Sequence, residues 1–389
     1  MSAPPFRLFI VAGEASGDAL AVRFVRRLRE RLGERELVLR GVGGEALIAE
    51  GLESVFPQDD IAVMGFGPVV ARLPLLLRRM SHAAKAAAAF EPDLLLTIDS
   101  PDFSLRVARK LRRMKPAIPI AHWVCPSVWA WRQGRARRMR PYVDRILALL
   151  PFEPEALARL GGPETVYVGH PLAERLPELR PGAAEAALRA DAANPLVLVL
   201  PGSRRSEIRH LTPVFGEAIA RVAQVVPGAR FAMPAVPRLV EELRGIVAGW
   251  PVKPEILTGE PAKLAAFRTA RAALAASGTV TLELALAQVP TVAAYRGADW
   301  EAFLARRLVK LPSVILPNLV LGRRILPEFI QEEATPAALA AALLAVIPEG
   351  EARRLQLDGF GDVEREIRSA GASPAANAVE GALALTMRR

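Results

Sequence analysis

Short apolar runs alternate with longer amphipathic stretches along the first part of the chain. The runs RLFIVAG, LVLRGVGG and DLLLTID are typical of buried strands, and helical patterns follow them near residues 17–32, 44–50 and 103–114. Further strands are predicted at IPIAHWV, RILALLP and TVYVGHP. Strands that alternate with helices are typical of βαβ units, so the pattern predicts a mostly parallel sheet.

The same rhythm restarts after a break. Residues 172–194 lose the strand pattern and mix charge, Pro and Ala, which predicts a linker. Strand-like runs then return at PLVLVLPGS, ARFAMPA, PEILTG, AALAASG and PTVAAYR, each followed by a helical pattern. We therefore predict an α/β fold of two Rossmann-like domains, residues 1–171 and 195–348. A charged helical segment, residues 349–389, has no strand to follow and is predicted to pack back on the first domain.

Composition narrows the class of protein. Hydrophobic residues make up 51% of the 389 residues and charged ones 24%, which is a globular composition. The single cysteine, Cys125, excludes a disulfide framework and a cysteine-ligated zinc site, and it fits a reducing compartment. The N-terminal apolar stretch is too short for a signal peptide, and no window is long enough to span a bilayer. We expect a cytoplasmic protein.

The net charge of +10 indicates an anionic partner, either nucleic acid, a phosphorylated ligand or an acidic lipid surface. Residues 122–145, HWVCPSVWAWRQGRARRMRPYVDR, interleave three tryptophans with six arginines, and such aromatics can stack on bases. Four of the arginines crowd into one short helix, which favours solvated or lipid-facing charge, and we predict no nucleic-acid partner. His122 at a strand end is more typical of a loop histidine than of a metal ligand.

Unusual residues follow the predicted strands of the first half. VAGEASGD makes a glycine turn with Gly13, Glu14 and Ser16 near a bound ligand; alternatively, it is a turn in which Ser16 or Asp18 caps a helix. In TIDSPDF, Asp99 closes an apolar strand and is our candidate general base, against a loop-organising hydrogen bond. Asp102 is a further candidate at the reacting centre, although its position before a helix fits an N-cap.

The second half carries two sequences that suit phosphate. In GSRRSEIRH, Arg204 lies where a helix begins, and a guanidinium beside free N–H groups suits a diphosphate. Arg205 and Arg209 are predicted to be exposed. SGTVTLE makes a second phosphate cradle at residues 277–279, comprising Ser277, Gly278 and Thr279. Glu283 is positioned to hold two ribose hydroxyls, or else it is a glutamate favoured by the helix dipole.

Two absences bear on metals. No Asp-x-Asp occurs, and the four histidines are scattered, so the sequence predicts no metal and no cofactor. A sugar-nucleotide enzyme of this kind would neutralise its leaving group with Arg204 and helix ends.

The motifs, taken in order, span nearly the whole chain. They are AGEASGD, GVGG, MGF, IDSPDF, PSVWAWR, LPFEP, GHPL, LPGSR, SGTVTLE, LPN and PEFIQ. The sequence resembles the lipid-A-disaccharide synthase family, inverting glycosyltransferases of family 19. The resemblance implies a GT-B architecture with a cleft between two domains, the acceptor bound by the first and the UDP-sugar by the second.

The resemblance also implies a reaction and its residues. UDP-2,3-diacylglucosamine would react with 2,3-diacylglucosamine 1-phosphate to give UDP and a β-1,6 disaccharide. Asp99 matches the family's proposed base, and Glu14 and Ser16 match turn positions near the reacting centre. The positions associated with the UDP-sugar are Arg204, Ser277, Gly278, Thr279, Glu283, Asn318 and Gln331. A UDP-N-acetylglucosamine 2-epimerase-like isomerase is the alternative, since it shares the architecture and a UDP site.

Both substrates are acylated, so the resemblance also predicts a peripheral protein on the anionic inner-membrane surface. MGFGPVVARLPLLLRRM is too apolar for an ordinary surface helix and has arginines for headgroups. The residues predicted to face the membrane are Val69, Val70, Leu73, Leu75, Leu76 and Leu77. The alternative is a core helix with a proline kink. The sequence does not fix the oligomeric state, and a homodimer stays among the alternatives.

Overall fold

The computed structural model describes residues 3–61, 72–297, 313–368, 370–371 and 373–387. The chain forms two compact units. Unit 1 comprises Met1–Pro171 and Ser369–Arg389, and unit 2 comprises Leu172–Arg368. Each unit has a parallel sheet covered by helices, which confirms the predicted α/β class with two Rossmann-like halves.

In the described part of unit 1, seven strands form one sheet in the order β3-β2-β1-β4-β5-β6-β7, and every neighbouring pair is parallel. The strands are β1 (Phe6–Ala12), β2 (Leu37–Val42), β3 (Glu53–Ser54), β4 (Leu94–Ile98), β5 (Ile120–Trp123), β6 (Arg145–Ala148) and β7 (Glu164–Tyr167). The central strand β4 is buried along its whole length, as expected when helices cover both faces of a parallel sheet.

The helices of unit 1 that precede residue 171 follow the strands in βαβ order. They are α1 (Ala15–Leu32), α2 (Glu45–Ala49), α3 (Leu73–Phe90), α4 (Pro101–Met114), α5 (Gly134–Met139) and α6 (Glu153–Arg159). Helix α1 packs on one face of the sheet through residues such as Phe24, which lies against Trp123. Helices α3 and α4 pack on the other face, where Met80 and Val107 join the core.

Unit 2 has a six-stranded parallel sheet in its described part, in the order β10-β9-β8-β11-β12-β13. The strands are β8 (Leu196–Leu200), β9 (Arg230–Ala235), β10 (Glu255–Thr258), β11 (Ala272–Ala276), β12 (Thr291–Tyr295) and β13 (Glu328–Ile330). The helices are α7 (Leu176–Leu179), α8 (Ala183–Ala190), α9 (Arg205–Val225), α10 (Val240–Ala248), α11 (Glu260–Thr269), α12 (Thr279–Leu286), α13 (Leu316–Leu321), α14 (Pro336–Val346) and α15 (Glu351–Arg368).

The unit boundaries differ from the predicted ones in two places. Residues 172–194 carry α7 and α8 and belong to unit 2, because the buried Arg189 donates to Phe267 O (2.6 Å) and Ala287 O (2.9 Å). The segment 349–389 is divided. Helix α15 stays with unit 2, where Gln356 hydrogen-bonds both the N–H and the C=O of Thr291.

The end of the chain belongs to unit 1. Helix α16 (Pro374–Leu383) lies against α1 and buries Ala378, Val379 and Ala382 in the same core cluster. The side-chain amide of Asn377 donates to Val168 O at 3.0 Å, which ties α16 to the segment after β7.

Both sheets reverse their strand order at one point, between β1 and β4 in unit 1 and between β8 and β11 in unit 2. The loops at the carboxyl ends of these two strands diverge there and leave a crevice, which is where open parallel sheets bind ligands. The residues after β1 and β4 include Gly13 and Asp99, and those after β8 and β11 include Arg204 and Ser277. These four sequence-predicted site residues therefore fall on the two switch points.

Candidate active site

The switch point of unit 1 brings the glycine turn and the predicted base into one place. Ser100 Oγ donates to Glu14 Oε1 at 3.3 Å and so joins the loop after β4 to the loop after β1. A Cβ on Gly13 would lie 2.7 Å from Ser100 Oγ, so only glycine permits this approach. Gly13, Glu14, Asp99 and Ser100 thus form one cluster at the carboxyl edge of the sheet.

Asp99 and Ser100 both have left-handed backbone conformations, with φ values of 49° and 41°. Two such residues in succession turn the chain sharply from β4 into α4, and the Asp99 N–H donates to Trp123 O at 3.0 Å. Non-glycine residues held at positive φ cost free energy and cluster at functional sites. Asp99 is half-buried here. Asp99 thus follows the carboxyl end of β4, and its role as a general base stays a prediction.

Of the two capping alternatives for the glycine turn, the one for Ser16 is wrong and the one for Asp18 is confirmed, although at a neighbouring helix. Helix α1 has no side-chain cap, and Ser16 is exposed in its first turn. The buried Asp18 caps the neighbouring helix α2 instead, since its carboxylate accepts the N–H of Gly44 (2.7 Å) and of Ala46 (3.2 Å). Within the described part of the chain, no side chain caps the N-terminus of α1 at the turn where Glu14 lies.

Asp102 is neither the cap of α4 nor part of the cluster around Asp99. The N-cap position is Ser100, and Asp102 lies exposed in the first turn, where Arg135 pairs with it at 3.0 Å. His122 belongs to β5 and is fully buried, with Nδ1 2.8 Å from Thr97 Oγ1. Burial, reinforced by the charge of Arg135, lowers the pKa of His122 to about 3, so this histidine is neutral at neutral pH.

The switch point of unit 2 contains a cavity of about 440 Å³. It is lined by the loops that follow β8, β9, β10 and β11, and its polar residues include Ser203, Arg204, Lys263, Ser277, Thr279 and Glu283. The structure therefore brings Arg204, the cradle of residues 277–279 and Glu283 into one cavity. Lys263, on α11, is an additional member that the sequence analysis did not predict.

The cradle after β11 leaves backbone amides free for an anion. Gly278 is the N-cap of α12 with φ 153° and no side-chain cap, and open space surrounds the position a Cβ would take. Glycine is needed here for its backbone conformation and not for space. The first amides of α12 face the cavity with the positive end of the helix dipole, as in phosphate sites at helix N-termini.

The loop after β8 differs from its prediction. Glu207 Oε2 accepts the N–H of Ser203 (2.9 Å) and of Arg204 (3.2 Å), so these amides are not free. The Arg204 guanidinium rests on Glu207 Oε1 at 3.1 Å, and its side chain is 72% exposed. In this loop only the guanidinium of Arg204 can contact an anion in the cavity. The free backbone amides for such an anion are those at the N-terminus of α12. Arg205 pairs with Glu242 at 3.1 Å, and Arg209 is exposed as predicted.

Glu283 lies on α12 and points at a cation across the cavity. Both of its carboxylate oxygens contact Lys263 Nζ, at 3.0 Å for Oε1 and 2.9 Å for Oε2. The carboxylate is 15% exposed and the ammonium 23%, so the pair is mostly shielded from water. One ammonium cannot use all the lone pairs of a carboxylate, and those that remain can accept two hydroxyl groups.

Asn318 and Gln331 lie outside the residues that line the cavity. Asn318 is buried, and its amide is occupied by the backbone: Oδ1 accepts from Ile325 (2.8 Å) and Leu326 (2.9 Å), and Nδ2 donates to Leu326 O (3.1 Å). Asn318 therefore holds this loop, and its contact with the UDP-sugar stays a prediction. Gln331 follows β13 with φ 55° and accepts the N–H of Gly297 at 3.3 Å.

The membrane-facing set is partly corrected. Leu73 and Leu77 are 42% and 44% exposed on α3, one helical turn apart. Leu75 is half-buried, and Leu76 points inward to the cluster that contains Met80 and Phe56, so it does not face a membrane. Val69 and Val70 lie outside the described residues. No helix among the described residues has the length and apolar character needed to cross a bilayer.

The described residues contain no group of three or more His, Cys, Asp or Glu side chains arranged to hold a metal ion. Two parallel sheets of this topology with interleaved helices form an α/β fold of the GT-B type. The lipid-A-disaccharide synthetase family model matches residues 8–380. The chain belongs to this family of glycosyltransferases.

Individual relatives agree. Lipid-A-disaccharide synthase of Nitrobacter winogradskyi is 51% identical over 371 residues, which are 95% of this chain and 93% of the relative. The enzyme of the same name from Bradyrhizobium diazoefficiens is 48% identical over 386 residues, covering 99% and 98%.

Among solved structures, the likeness concerns the fold alone. The calicheamicin glycosyltransferase CalG4 matches with a TM-score of 0.61 at 16% identity, covering 99% of both chains. UDP-GlcNAc 2-epimerase from Neisseria meningitidis, bound to UDP-GlcNAc, matches with a TM-score of 0.55 at 10% identity over the whole of both chains. The epimerase alternative is therefore supported by architecture only.

Proposed function

We propose that the protein condenses UDP-2,3-diacylglucosamine with 2,3-diacylglucosamine 1-phosphate. The products are UDP and the β-1,6-linked disaccharide 1-phosphate of lipid A biosynthesis. The observation that carries the proposal is the family match from residue 8 to residue 380, which includes both switch points. The residues at those two points supply the chemistry that the reaction needs.

The acceptor side of the reaction falls to unit 1. The acceptor 6-hydroxyl attacks the anomeric carbon of the donor, and Asp99 takes the hydroxyl proton as the new C–O bond forms. Positioned general bases of this kind contribute about 10²- to 10⁴-fold to rate. Glu14 and Ser100, joined at 3.3 Å, hold the loop beside Asp99. The bond between the anomeric carbon and the UDP oxygen breaks with its electron pair going to UDP, so attack from the opposite face inverts the anomeric centre.

The donor side falls to unit 2. The diphosphate binds at the uncapped N-terminus of α12, against the amides that follow Gly278, and Arg204 approaches it from the loop after β8. Glu283, held by Lys263, accepts hydrogen bonds from the ribose hydroxyls. The charge that develops on departing UDP is met by fixed dipoles and a guanidinium, so we propose a reaction that needs no metal.

The test is direct product detection. Purified protein is incubated with both acylated substrates, and UDP and disaccharide 1-phosphate are measured with and without a chelator of divalent cations. We expect both products in equal amounts and no effect of the chelator. A loss of activity on chelation would refute metal independence. Formation of a 2-epimerised UDP-sugar in the absence of the acceptor would favour the isomerase alternative.

We also propose that the protein works on the cytoplasmic face of the inner membrane, bound to its anionic surface. Two exposed leucines, Leu73 and Leu77, lie at the start of α3, and each buries apolar area if it enters the interface. Both substrates carry acyl chains and lie in the membrane, so the enzyme has to bind them at the membrane surface.

The leucines permit a matched comparison. Leu73→Ser and Leu77→Ser should leave the thermal unfolding midpoint nearly unchanged and weaken binding to lipid vesicles. Leu76→Ser should lower the free energy of unfolding by about 2–5 kcal/mol, and with it the unfolding temperature. The change removes apolar contacts and buries a hydroxyl group in the core. Equal destabilisation by all three changes would assign α3 to the core alone.

A further inference from the structure

A large depression lies on unit 1, and its lining includes none of Gly13, Glu14, Asp99 and Ser100. It is an open groove of about 990 Å³ between α4 and α5. Of its thirteen lining residues, seven are arginines and one, Asp102, is a carboxylate. We call it the arginine groove. Such a concentration of one charge is unfavourable unless anions bind there.

Most of these charges have no carboxylate partner among the residues that the structure describes. Arg135 is paired with Asp102 and Arg112 with Asp144, so two of the seven are neutralised. The other five have no ion pair with any carboxylate of the described residues: Arg106, Arg109, Arg113, Arg132 and Arg138. Three of them recur on one face of α4 at helical spacing, 106, 109 and 113, which makes a stripe about 10 Å long. Guanidinium groups in a row suit several phosphates better than one.

The surroundings favour lipid over nucleic acid. Of the three tryptophans of this stretch, Trp123 is buried and Trp129 packs edge-on against Phe152 at 5.0 Å. Trp131 is 42% exposed, but Arg132 already lies over its ring at 4.2 Å. One covered indole is not a platform for stacking successive bases. A tryptophan beside arginines is instead typical of the boundary between lipid headgroups and acyl chains.

The arginine groove and the exposed leucines Leu73 and Leu77 belong to helices on the same face of the sheet. Helix α3, which carries Leu73 and Leu77, packs directly against α4, whose outer stripe lines the groove. Apolar side chains that enter a bilayer and arginines that meet its phosphates thus belong to neighbouring helices on one face of the sheet. Both contributions add in interfacial binding.

We propose that the arginine groove binds the headgroup phosphates of anionic phospholipids and is the electrostatic part of the membrane contact. The inference rests on the proposed membrane-bound function and adds its site. Bidentate contacts from guanidinium groups give the groove its preference for phosphate over other anionic surfaces.

The experiment measures co-flotation of the full-length protein with phosphatidylcholine vesicles that contain or lack phosphatidylglycerol. The groove variant is Arg109→Gln with Arg113→Gln. The matched control is Arg159→Gln with Arg221→Gln, which removes two exposed charges outside the groove. We expect the groove variant to bind anionic vesicles at least about tenfold more weakly, since each surface cation contributes appreciably to such binding, and the control to change less than about twofold. Equal thermal midpoints check that both variants fold.

Several outcomes would overturn the inference. An equal loss in both variants would mean that net charge acts without a site, and no loss in the groove variant would mean that the groove takes no lipid. Tighter binding of a single-stranded oligonucleotide, lost in the groove variant, would assign the groove to nucleic acid. If the wild type binds no anionic vesicle, the membrane part of the proposed function fails too, while product formation from detergent-dispersed substrates tests the catalytic part separately.

Discussion

The contact between Lys263 and Glu283 makes a prediction about nucleotide binding that no motif in the sequence contains. If Lys263 orients the Glu283 carboxylate for the ribose, removing the ammonium should weaken UDP binding. Lys263→Met is the perturbation of choice, because it keeps an unbranched side chain of similar length and removes the charge, which contacts Glu283 and also lies 5.3 Å from the centre of the Phe267 ring.

The magnitude follows from the geometry. Nζ lies 2.9 and 3.0 Å from the two carboxylate oxygens, and both side chains are mostly buried, so this is a well-formed charged hydrogen bond. Such bonds contribute about 1.5–3 kcal/mol. If about half of this free energy contributes to UDP binding, which is about 0.8–1.5 kcal/mol, UDP affinity should fall about four- to twelvefold.

The assay is calorimetric titration of UDP into the wild type, Lys263→Met, Glu283→Gln and the double variant, with Lys263→Arg as the conservative control. We expect the double variant to bind no more weakly than Glu283→Gln, because the lysine acts through the glutamate. Unchanged affinity in Lys263→Met, or losses that simply add in the double variant, would refute the reasoning.

Two further predictions concern the loops and a buried carboxyl. Gly278→Ala should cost about 1–3 kcal/mol of stability through backbone strain alone, whereas Gly202→Ala should cost more, because its Cβ would lie 2.3 Å from Glu207 Oε2; equal losses in denaturant unfolding would contradict this. Burial raises the pKa of Glu153 to about 7 from 4.5, so the native state holds a proton that the unfolded chain loses. Its stabilising contribution is therefore complete below pH 4.5 and lost as pH rises through 7, and Glu153→Gln should flatten the pH dependence of the unfolding midpoint in that range.

Much of the fold could be predicted from hydrophobic pattern. Eleven strands were predicted from apolar runs, and all are present within the described residues. The two strands that were not predicted, β3 and β13, have two and three residues, and segments this short contain no recognisable apolar run. The division of residues 349–389 was missed because both α15 and α16 are amphipathic, and an apolar face does not say which unit it covers.

The site could be predicted in position but less well in role. The residues that follow parallel strands lie at one edge of the sheet, independently of side-chain contacts. The sequence could therefore predict that Asp99 and Gly278 lie at the carboxyl edges of their sheets. Hydrogen-bond partners are set by tertiary approach. The Asn318 side chain hydrogen-bonds the backbone of a nearby loop, and Lys263 hydrogen-bonds Glu283, which is twenty residues further along the chain. The capping role of Glu207 did have a signal, a glutamate at the third position of a helix, which is half of a capping box.

The central claim is that Asp99 is the base of the transfer reaction, and one comparison tests it most directly. Asp99→Asn removes the base at the carboxyl end of β4, while Asp93→Asn changes a like residue just before the other end of the same strand, where it accepts the Arg7 N–H. Single-turnover formation of disaccharide 1-phosphate should fall about 10²- to 10⁴-fold in Asp99→Asn and stay near wild type in Asp93→Asn, with UDP affinity unchanged in both. A wild-type rate in Asp99→Asn would contradict the account.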